Sequence, residues 1–119
     1  MDVTAGGYVL VVEPVNTRVQ VINARGKFVG FLGAWGVRSG QLFRPKGVAA
    51  LGERVYITDG YLGKVEVFDL RGQFYGVLGD AQGAPYKLTT PAGIAADAAR
   101  GRLYVVELKA DRVACIELE

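Results

Sequence analysis

The sequence predicts an all-β fold made of repeated four-stranded antiparallel sheets. The first observation is an internal repeat, because RVQVINARGKFVGFLG at 18–33 returns as KVEVFDLRGQFYGVLG at 64–79 and begins a third time at Arg112. A period of about 46 residues is typical of solenoids, propellers and arrays. The second observation is that the 17 glycines fall mostly at strand ends and turns. No stretch combines helical spacing of apolar residues with helix caps.

The central copy shows what one repeat contains. Its first strand begins at Pro45 and runs through the apolar segment VAA before a turn. RVYITD at 54–59 and KVEVFD at 64–69 alternate in polarity as strands do, and the GYLG segment between them is a turn. QFYGVLG at 73–79 follows the LRG turn as a fourth strand. Each repeat is therefore predicted to be a four-stranded meander, the unit of a β-propeller blade.

The two other copies are shortened at opposite ends. The first has only Val3 to Ala5 as a clipped first strand before YVLVVE and RVQVIN, and the third stops after RVACIELE, before a fourth strand. We therefore predict about eleven strands in three blades, with the last blade lacking its outer strand. The blades are predicted at about 1–33, 45–79 and 91–119.

The motifs of the repeat resemble those of the NHL-repeat family. The shared features, in order, are Pro-x-Gly-[Val/Ile]-Ala, a Tyr with an acidic residue three positions on, a basic residue five positions later, Val-x-Val-Phe-Asp, Gly-x-Phe and Leu-Gly. Residues 45–90 match almost end to end, and the Gly-rich segment 30–45 resembles that family's link between blades. The resemblance implies a β-propeller, typically six-bladed, that serves as a binding or scaffolding surface rather than as an enzyme. About two and a half to three repeats are present, where the family generally has five or six.

Three blades in a row would leave one apolar face bare on each outer blade. Such patches rarely stay exposed on a soluble monomer, so we expect a partner to cover them. The simplest partner is a second copy, with blade 3 of one chain packed on blade 1 of the other, so that a homodimer closes a six-bladed ring. The alternatives are a filament with open ends and a fragment of a longer propeller. Other proteins are also expected as partners.

Composition argues against several kinds of chemistry. The net charge is +2, and the chain has no His and a single Cys, so it cannot form an internal disulfide and lacks the commonest general base. We expect no catalytic residue, cofactor or metal. Membrane insertion is not expected either, because no run of about 18 apolar residues occurs. Cys115 takes the place of Val21 and Val67 in the other copies, so we expect it to be buried.

Each repeat carries an acidic residue five positions before a basic one, across the turn between its second and third strands. A feature built into every blade is expected to brace that turn through a salt bridge or hydrogen bonds, because a catalytic pair is needed only once per site. The alternative is a ring of carboxylates that binds a metal at the mouth of the central channel, and the cation beside each acid argues against it. The three pairs are Glu13 with Arg18, Asp59 with Lys64, and Glu107 with Arg112.

One end of the predicted propeller collects basic and aromatic residues, because the turns between second and third strands and the links between blades lie on the same side. This mixture suits stacking on bases and contact with phosphates, so single-stranded RNA is the alternative to protein or self-association. Trp35 is expected to wedge between two blades rather than to be displayed. Acidic residues on the same side reduce its positive charge: Glu13, Asp59, Asp80, Glu107 and Asp111. The candidate binding face comprises Arg18, Trp35, Arg38, Arg44, Lys46, Tyr61, Lys64, Lys87, Lys109 and Arg112.

Overall fold

In the computed structural model, which describes residues 1–118, the chain folds into three antiparallel sheets that follow one another as blades. The prediction of an all-β fold with meander blades is confirmed, and within the described residues the third sheet has three strands. The strands are β1 (Asp2–Val3), β2 (Val9–Glu13), β3 (Arg18–Ile22) and β4 (Phe28–Leu32) in blade 1, β5 (Ala34–Trp35) and β6 (Gln41–Leu42) in the following link, β7 (Pro45–Leu51), β8 (Arg54–Asp59), β9 (Lys64–Phe68) and β10 (Phe74–Val77) in blade 2, and β11 (Pro91–Asp97), β12 (Arg102–Glu107) and β13 (Arg112–Glu117) in blade 3.

The elements other than the blade strands are short. β5 and β6 pair in parallel within the link between blades 1 and 2, and the sequence pattern did not predict this pair. A 3-10 helix at Leu108–Ala110 forms the turn between β12 and β13. In residues 1–118 no helix has the length and apolar character needed to cross a membrane.

The turns between third and fourth strands are built by side chains that cap the backbone. The Asn23 carboxamide oxygen accepts hydrogen bonds from the backbone N–H groups of Arg25 and Lys27. The Asp69 carboxylate accepts in the same way from the N–H groups two and four positions further on. Short Asn and Asp side chains favour such turns, so the NARG and DLRG segments reverse the chain at the same place in both repeats.

Two apolar cores lie between successive blades. The first joins Val19 and Val21 of β3 to Val55 and Ile57 of β8, and all four are buried. The second joins the opposite face of blade 2 to blade 3, with Val65 of β9 among its buried members. Because strand side chains alternate between faces, β8 and β9 supply one face to each core. Blade 2 is therefore covered on both sides.

The innermost strands of blades 2 and 3 approach each other closely. A Cβ atom on Gly47 would lie 2.5 Å from the carbonyl oxygen of Ala92, so only glycine fits there without displacement. Beside it, the Thr58 hydroxyl donates to the Ala92 carbonyl at 2.5 Å, and the Gly47 N–H donates to the Thr58 hydroxyl oxygen at 2.9 Å. This contact fixes the two blades near the propeller axis, where strands converge.

The prediction that Cys115 is buried is wrong, because its side chain is exposed. Residues at the same place in the repeat are called counterparts here. The counterparts of Cys115, Val21 and Val67, are buried because the next blade packs on them. The described residues place no blade beyond blade 3, so the same strand face stays in contact with solvent.

Candidate functional site

The first candidate site is the pair of outer blade faces that no neighbouring blade covers within residues 1–118. We call the outer face of blade 3 face 3 and that of blade 1 face 1. Val113 on face 3 is 59% exposed, whereas its counterpart Val65 is 0% exposed. A depression of about 330 Å³, lined in part by Val106, Leu108 and Val113, lies on face 3. Further apolar side chains are Tyr104 and Cys115 on face 3, and Val3, Val9, Val11, Ile22, Phe28 and Phe31 on face 1.

The two bare faces have the character of the two sides of an internal blade junction. Face 1 presents Val9, Val11 and Ile22, and the counterparts of all three are buried against blade 1 in the first core. Face 3 presents the counterparts of Val65 and Val67, which are buried against blade 3 in the second core. Face 1 and face 3 therefore have the residue types that meet at the junctions between successive blades.

The second candidate site is a cluster of three aromatic rings, two of them exposed, beside the link between blades 1 and 2. Trp35 and Phe43 have ring centroids 5.8 Å apart, and Phe43 and Tyr61 have centroids 4.4 Å apart. The Arg44 guanidinium lies 4.8 Å from the Phe43 centroid. Trp35 is 65% exposed and Tyr61 is 66% exposed. The prediction that Trp35 wedges between blades is therefore wrong, because the β5–β6 link carries its ring onto the surface of Phe43 instead.

This aromatic cluster does not recur in the next link. Both links have the same length from the glycine that closes the fourth strand to the proline that opens the next blade, so their residues align one to one. The counterparts of Trp35 and Phe43 are Ala81 and Thr89, and the counterpart of Tyr61 is Lys109. A feature that recurs in every blade is expected to stabilise the blade architecture. The aromatic cluster occurs in one link, so the architecture does not require it and it is a candidate for ligand binding. Phe43 was not among the predicted site residues, although its place two residues before Pro45, at the end of the link, was visible in the sequence.

Asp59 holds the aromatic cluster in place. Its buried carboxylate accepts hydrogen bonds from the backbone N–H groups of Phe43 at 2.7 Å, Arg44 at 3.1 Å, Tyr61 at 3.1 Å and Leu62 at 3.0 Å. One side chain thus ties the incoming link to the β8–β9 turn. A carboxylate has about four lone-pair positions, so these donors occupy it fully.

The predicted salt bridge between Asp59 and Lys64 is not formed among the described residues, where the ion pairs lie elsewhere. The two residues are opposite each other across the β8–β9 pair, so their positions would allow contact. The Asp59 carboxylate oxygens accept hydrogen bonds from backbone N–H groups instead. The Lys64 side chain is half-buried at the strand end. The role of Asp59 is bracing by hydrogen bonds.

The other two acidic residues do form ion pairs. Arg112 Nε lies 2.6 Å from Glu107 Oε2, and the Thr89 N–H donates to Glu107 Oε1 at 2.9 Å. The guanidinium is the larger cause and the Thr89 N–H the second, and together they lower the pKa of the Glu107 carboxyl. Thr89 is the counterpart of Phe43, so Glu107 braces the link into blade 3 as Asp59 braces the link into blade 2.

In blade 1, Arg18 Nε lies 3.2 Å from Glu13 Oε2. Hydrogen bonds from the Asn16 amide and then from Arg18 lower the pKa of the Glu13 carboxyl. The Arg18 guanidinium also lies 3.7 Å from the centroid of the Phe31 ring, a cation–π contact on face 1. Because Glu13 and Phe31 of its own blade bind the Arg18 guanidinium, this side chain is less available to a ligand than the sequence suggested.

The remaining members of the predicted binding face are spread along one end of the molecule. Arg38 is exposed in the link, where its N–H donates to Gln41, and Lys46 is exposed at the start of β7 beside Gly60. Lys87 is exposed in the second link and Lys109 lies in the 3-10 helix. Of the predicted residues, the structure brings Trp35, Tyr61 and Arg44 into one cluster, with Lys46 on the following strand.

One buried carboxylate has no acidic counterpart in the other blades. Glu66 of β9 is 0% exposed between blades 1 and 2, and neither of its oxygens has a hydrogen-bond partner among the described residues. Burial raises the pKa of Glu66 to about 7, and the charge on Asp59 adds to the rise. Lys64 and the Gly40 N–H, which does not reach hydrogen-bond geometry, oppose it. Gln20 and Ala114 stand at this position in blades 1 and 3. In residues 1–118 no three Asp, Glu or Cys side chains converge as metal ligands would.

No protein-family model and no curated protein sequence matches this chain. Solved structures of β-propellers do match it. A streptogramin B lyase structure has a TM-score of 0.67 at 17% identity over 98% of this chain and 39% of its own. Hydrazine synthase of Kuenenia stuttgartiensis has a TM-score of 0.66 at 17% identity over 99% of this chain and 35% of its own. An auxiliary nutrient binding protein from Bacteroides thetaiotaomicron has a TM-score of 0.60 at 10% identity, over 96% and 38%.

These likenesses show the fold, and at such identities they show the fold alone. The chain spans less than two fifths of each matched structure, so it corresponds to part of a propeller. The comparison supports propeller blades in general and does not distinguish NHL repeats from other blade sequences.

Proposed function

We propose that this chain is a non-enzymatic NHL-type propeller module for protein binding and self-assembly, in which face 3 of one copy packs on face 1 of another and two copies close a six-bladed ring. The order of motifs in the repeat supports the NHL assignment. The observation that carries the assembly is the exposure of Val113 and Cys115, whose counterparts are buried in both other blades. A filament and a longer propeller are the rival ways to bury the same residues.

The single thiol allows the assembly to be tested at the predicted interface. Cys115 lies on face 3 and is the only cysteine in the chain. Its rate of reaction with Ellman's reagent is measured as the protein concentration is raised. We expect the rate to fall with concentration, because a second copy would cover the thiol. A rate that is independent of concentration over the micromolar range would refute self-association through this face.

Two matched variants separate the interface from general surface effects. Val113→Asp places a charge on face 3 and is expected to abolish the protection of the thiol, because an unpaired carboxylate is costly to bury. Val37→Asp is the control, since Val37 is also 59% exposed but lies in the link between blades 1 and 2. The new charge near the thiol also changes its intrinsic reactivity, so the concentration dependence is compared rather than the absolute rate. Loss of protection in both variants would contradict the assignment to face 3.

A second candidate function is binding of single-stranded RNA at the aromatic cluster. The observation that favours it is that three tilted rings, with Trp35 and Tyr61 exposed, adjoin a guanidinium in a link whose counterpart carries no aromatic cluster. Stacking on bases contributes about 1–3 kcal/mol per base and tolerates different sequences. Neighbouring cations would contact phosphates and make the binding depend on salt.

Retention on immobilised single-stranded RNA at about 0.15 M salt tests this function. The double variant Arg38→Glu with Arg44→Glu is expected to lose retention. Arg25→Glu with Arg71→Glu changes the charge equally at the opposite end of blades 1 and 2, in the turns between third and fourth strands, and is expected to keep it. No retention of the unmodified chain, or equal loss in both double variants, would contradict RNA binding at the cluster.

A further inference from the structure

We propose that a pocket between blades 1 and 2 binds an aromatic carboxylic acid, whose carboxylate pairs with the Arg54 guanidinium. The pocket has a volume of about 400 Å³. Blade 1 supplies the β1–β2 turn, and blade 2 supplies the β7–β8 turn, the β9–β10 turn and Tyr75. These turns lie at the end of the blades opposite the aromatic cluster. The pocket is formed by two neighbouring blades that the structure describes, so it does not depend on the bare outer faces.

The lining of the pocket combines apolar and polar side chains. Tyr8 and Leu70 are half-buried and pack against the first core, and both line the pocket. Tyr75 adds an aromatic ring that is 43% exposed, and Arg54 adds a charge. Small-molecule sites are concave, mostly apolar and about 300–1,000 Å³ in volume, with a few polar groups that orient the ligand. The pocket has this character.

The Arg54 guanidinium is held in place without being neutralised. It lies over the Tyr75 ring, 3.6 Å from the ring centroid. The Tyr75 hydroxyl donates to the Asp69 carboxylate at 3.0 Å, which holds the ring in position. Among residues 1–118 the ion pairs involve other cations, so Arg54 has no acidic partner. A guanidinium that stacks on a ring keeps N–H donors along its edge, and their spacing matches the two oxygens of a carboxylate.

The repeat shows why Arg54 has no acidic partner. Its counterpart in blade 3, Arg102, is opposite Glu117, and Arg102 Nε lies 2.6 Å from Glu117 Oε1. Asp69 is the counterpart of Glu117 in blade 2, but one of its oxygens accepts hydrogen bonds from two backbone N–H groups of its own turn. In blade 1 the place of Arg54 is taken by Tyr8. A stacked guanidinium without an acidic partner therefore occurs at this place in one blade of three.

The charges around the pocket favour a ligand with a single negative charge. One unpaired guanidinium can neutralise one carboxylate. Asp69 and Glu53 also line the pocket, so a dianion such as a phosphate monoester would meet more repulsion than a monoanion. Tyr8, Leu70 and Tyr75 offer apolar surface to a flat ring beside that carboxylate. A free aromatic acid and a peptide that ends in Phe share this chemistry.

N-acetylphenylalanine and its uncharged amide are the probes. Each is titrated into ¹⁵N-labelled protein while the shifts of the backbone amides and of the Arg Nε–H groups are recorded. We expect saturable shifts with the acid, and we expect the amide to bind roughly tenfold more weakly or worse because it lacks the charge. No saturable shift, or equal affinities of acid and amide, would overturn the proposal.

The positions of the shifts distinguish this pocket from its neighbour. Arg54 and Tyr75 also line a cleft of about 580 Å³ between blades 2 and 3, whose other walls include Leu78 and Tyr86. We expect the acid to shift the Arg54 Nε–H and the amides of the β1–β2 turn and of Leu70. Shifts at Leu78 and Tyr86 without shifts at Leu70 would place the acid in the cleft and overturn the proposal.

Two matched variants test the role of the guanidinium. Arg54→Gln is expected to weaken binding of the acid roughly tenfold and to leave the weak binding of the amide unchanged. Arg102→Gln removes the counterpart in blade 3, which does not line the pocket, and is expected to change neither. Equal weakening by the two variants, or equal weakening of acid and amide by Arg54→Gln, would contradict a contact between Arg54 and the carboxylate.

A longer probe separates the two sources of the ligand. Acetyl-Gly-Gly-Phe carries the same terminal carboxylate and ring on a peptide chain. Affinity equal to or above that of N-acetylphenylalanine would support a peptide C-terminus as the ligand, and an affinity roughly tenfold lower would support a free acid. The side chains named for face 1 and face 3 do not line the pocket, so ligand binding and ring closure can fail independently.

Discussion

Replacing Glu66 by Gln is expected to stabilise the protein at pH 8 and to change it little at pH 4.5. The carboxyl group is fully buried, its oxygens lack hydrogen-bond partners among the described residues, and burial raises its pKa to about 7. Gln has nearly the same shape and carries no charge at any pH. The repeat itself places Gln at this position in blade 1, as Gln20.

The size and sign of the effect follow from proton linkage. The pKa of Glu66 is about 4.5 when the chain is unfolded and about 7 when it is folded. Between these values the folded state binds more protons, so the free energy of unfolding falls as pH rises and the full penalty is present above pH 7. A rise of this size corresponds to about 3 kcal/mol. The buried amide of Gln also costs free energy, so the net gain at pH 8 is expected to be about 1–3 kcal/mol.

Urea unfolding of the unmodified chain and of Glu66→Gln, followed from pH 4.5 to pH 8, measures this difference. Other carboxyl groups titrate in both proteins, so their effects cancel in the comparison. Glu53→Gln is the control, because that side chain is exposed in the β7–β8 turn and should give no pH-dependent difference. A stability difference between Glu66→Gln and the unmodified chain that is the same at pH 4.5 and pH 8 would refute the reasoning.

Two further predictions concern the contacts that hold the blades. Asp59→Asn is expected to lower the free energy of unfolding by about 2–4 kcal/mol, because four backbone N–H donors lose a charged acceptor, whereas Asp80→Asn in an exposed turn should cost less than about 0.5 kcal/mol. Equal losses in the two urea titrations would contradict the bracing role. Gly47→Ala should cost about 1–3 kcal/mol because its Cβ would meet the Ala92 carbonyl oxygen, while Gly30→Ala has open space around it and should cost less. The same unfolding midpoint for both alanine variants would argue against the close approach of blades 2 and 3.

The blade architecture could be predicted from the repeat because local sequence patterns specify its strands and turns. Alternating apolar residues specify the strands, and Asn23 and Asp69 specify where the chain reverses. The eleven blade strands follow from these patterns alone. The short β5–β6 pair was not predicted, because two-residue strands have no periodicity to detect.

The errors about the sites arose where neighbouring structure decides the outcome. Cys115 has the pattern of a core residue, and its exposure depends on whether another blade follows. Asp59 has a lysine at salt-bridge spacing, yet backbone donors from a link 15 and 16 residues away satisfy it instead. Trp35 lies in a Gly-rich link and was assigned to a blade junction, yet its ring packs beside Phe43, whose backbone N–H is held by Asp59. Each outcome rests on contacts distant in sequence.

The mass of the chain in solution shows whether two copies associate. Under the proposed assembly, the bare apolar faces of blades 1 and 3 cover each other between copies. One copy has a mass of 12.7 kDa, so light scattering on the purified chain is expected to give about twice that value for a closed ring. A single species of 12.7 kDa at high micromolar concentration would contradict self-assembly, and a broad distribution of high masses would indicate a filament instead of a closed ring.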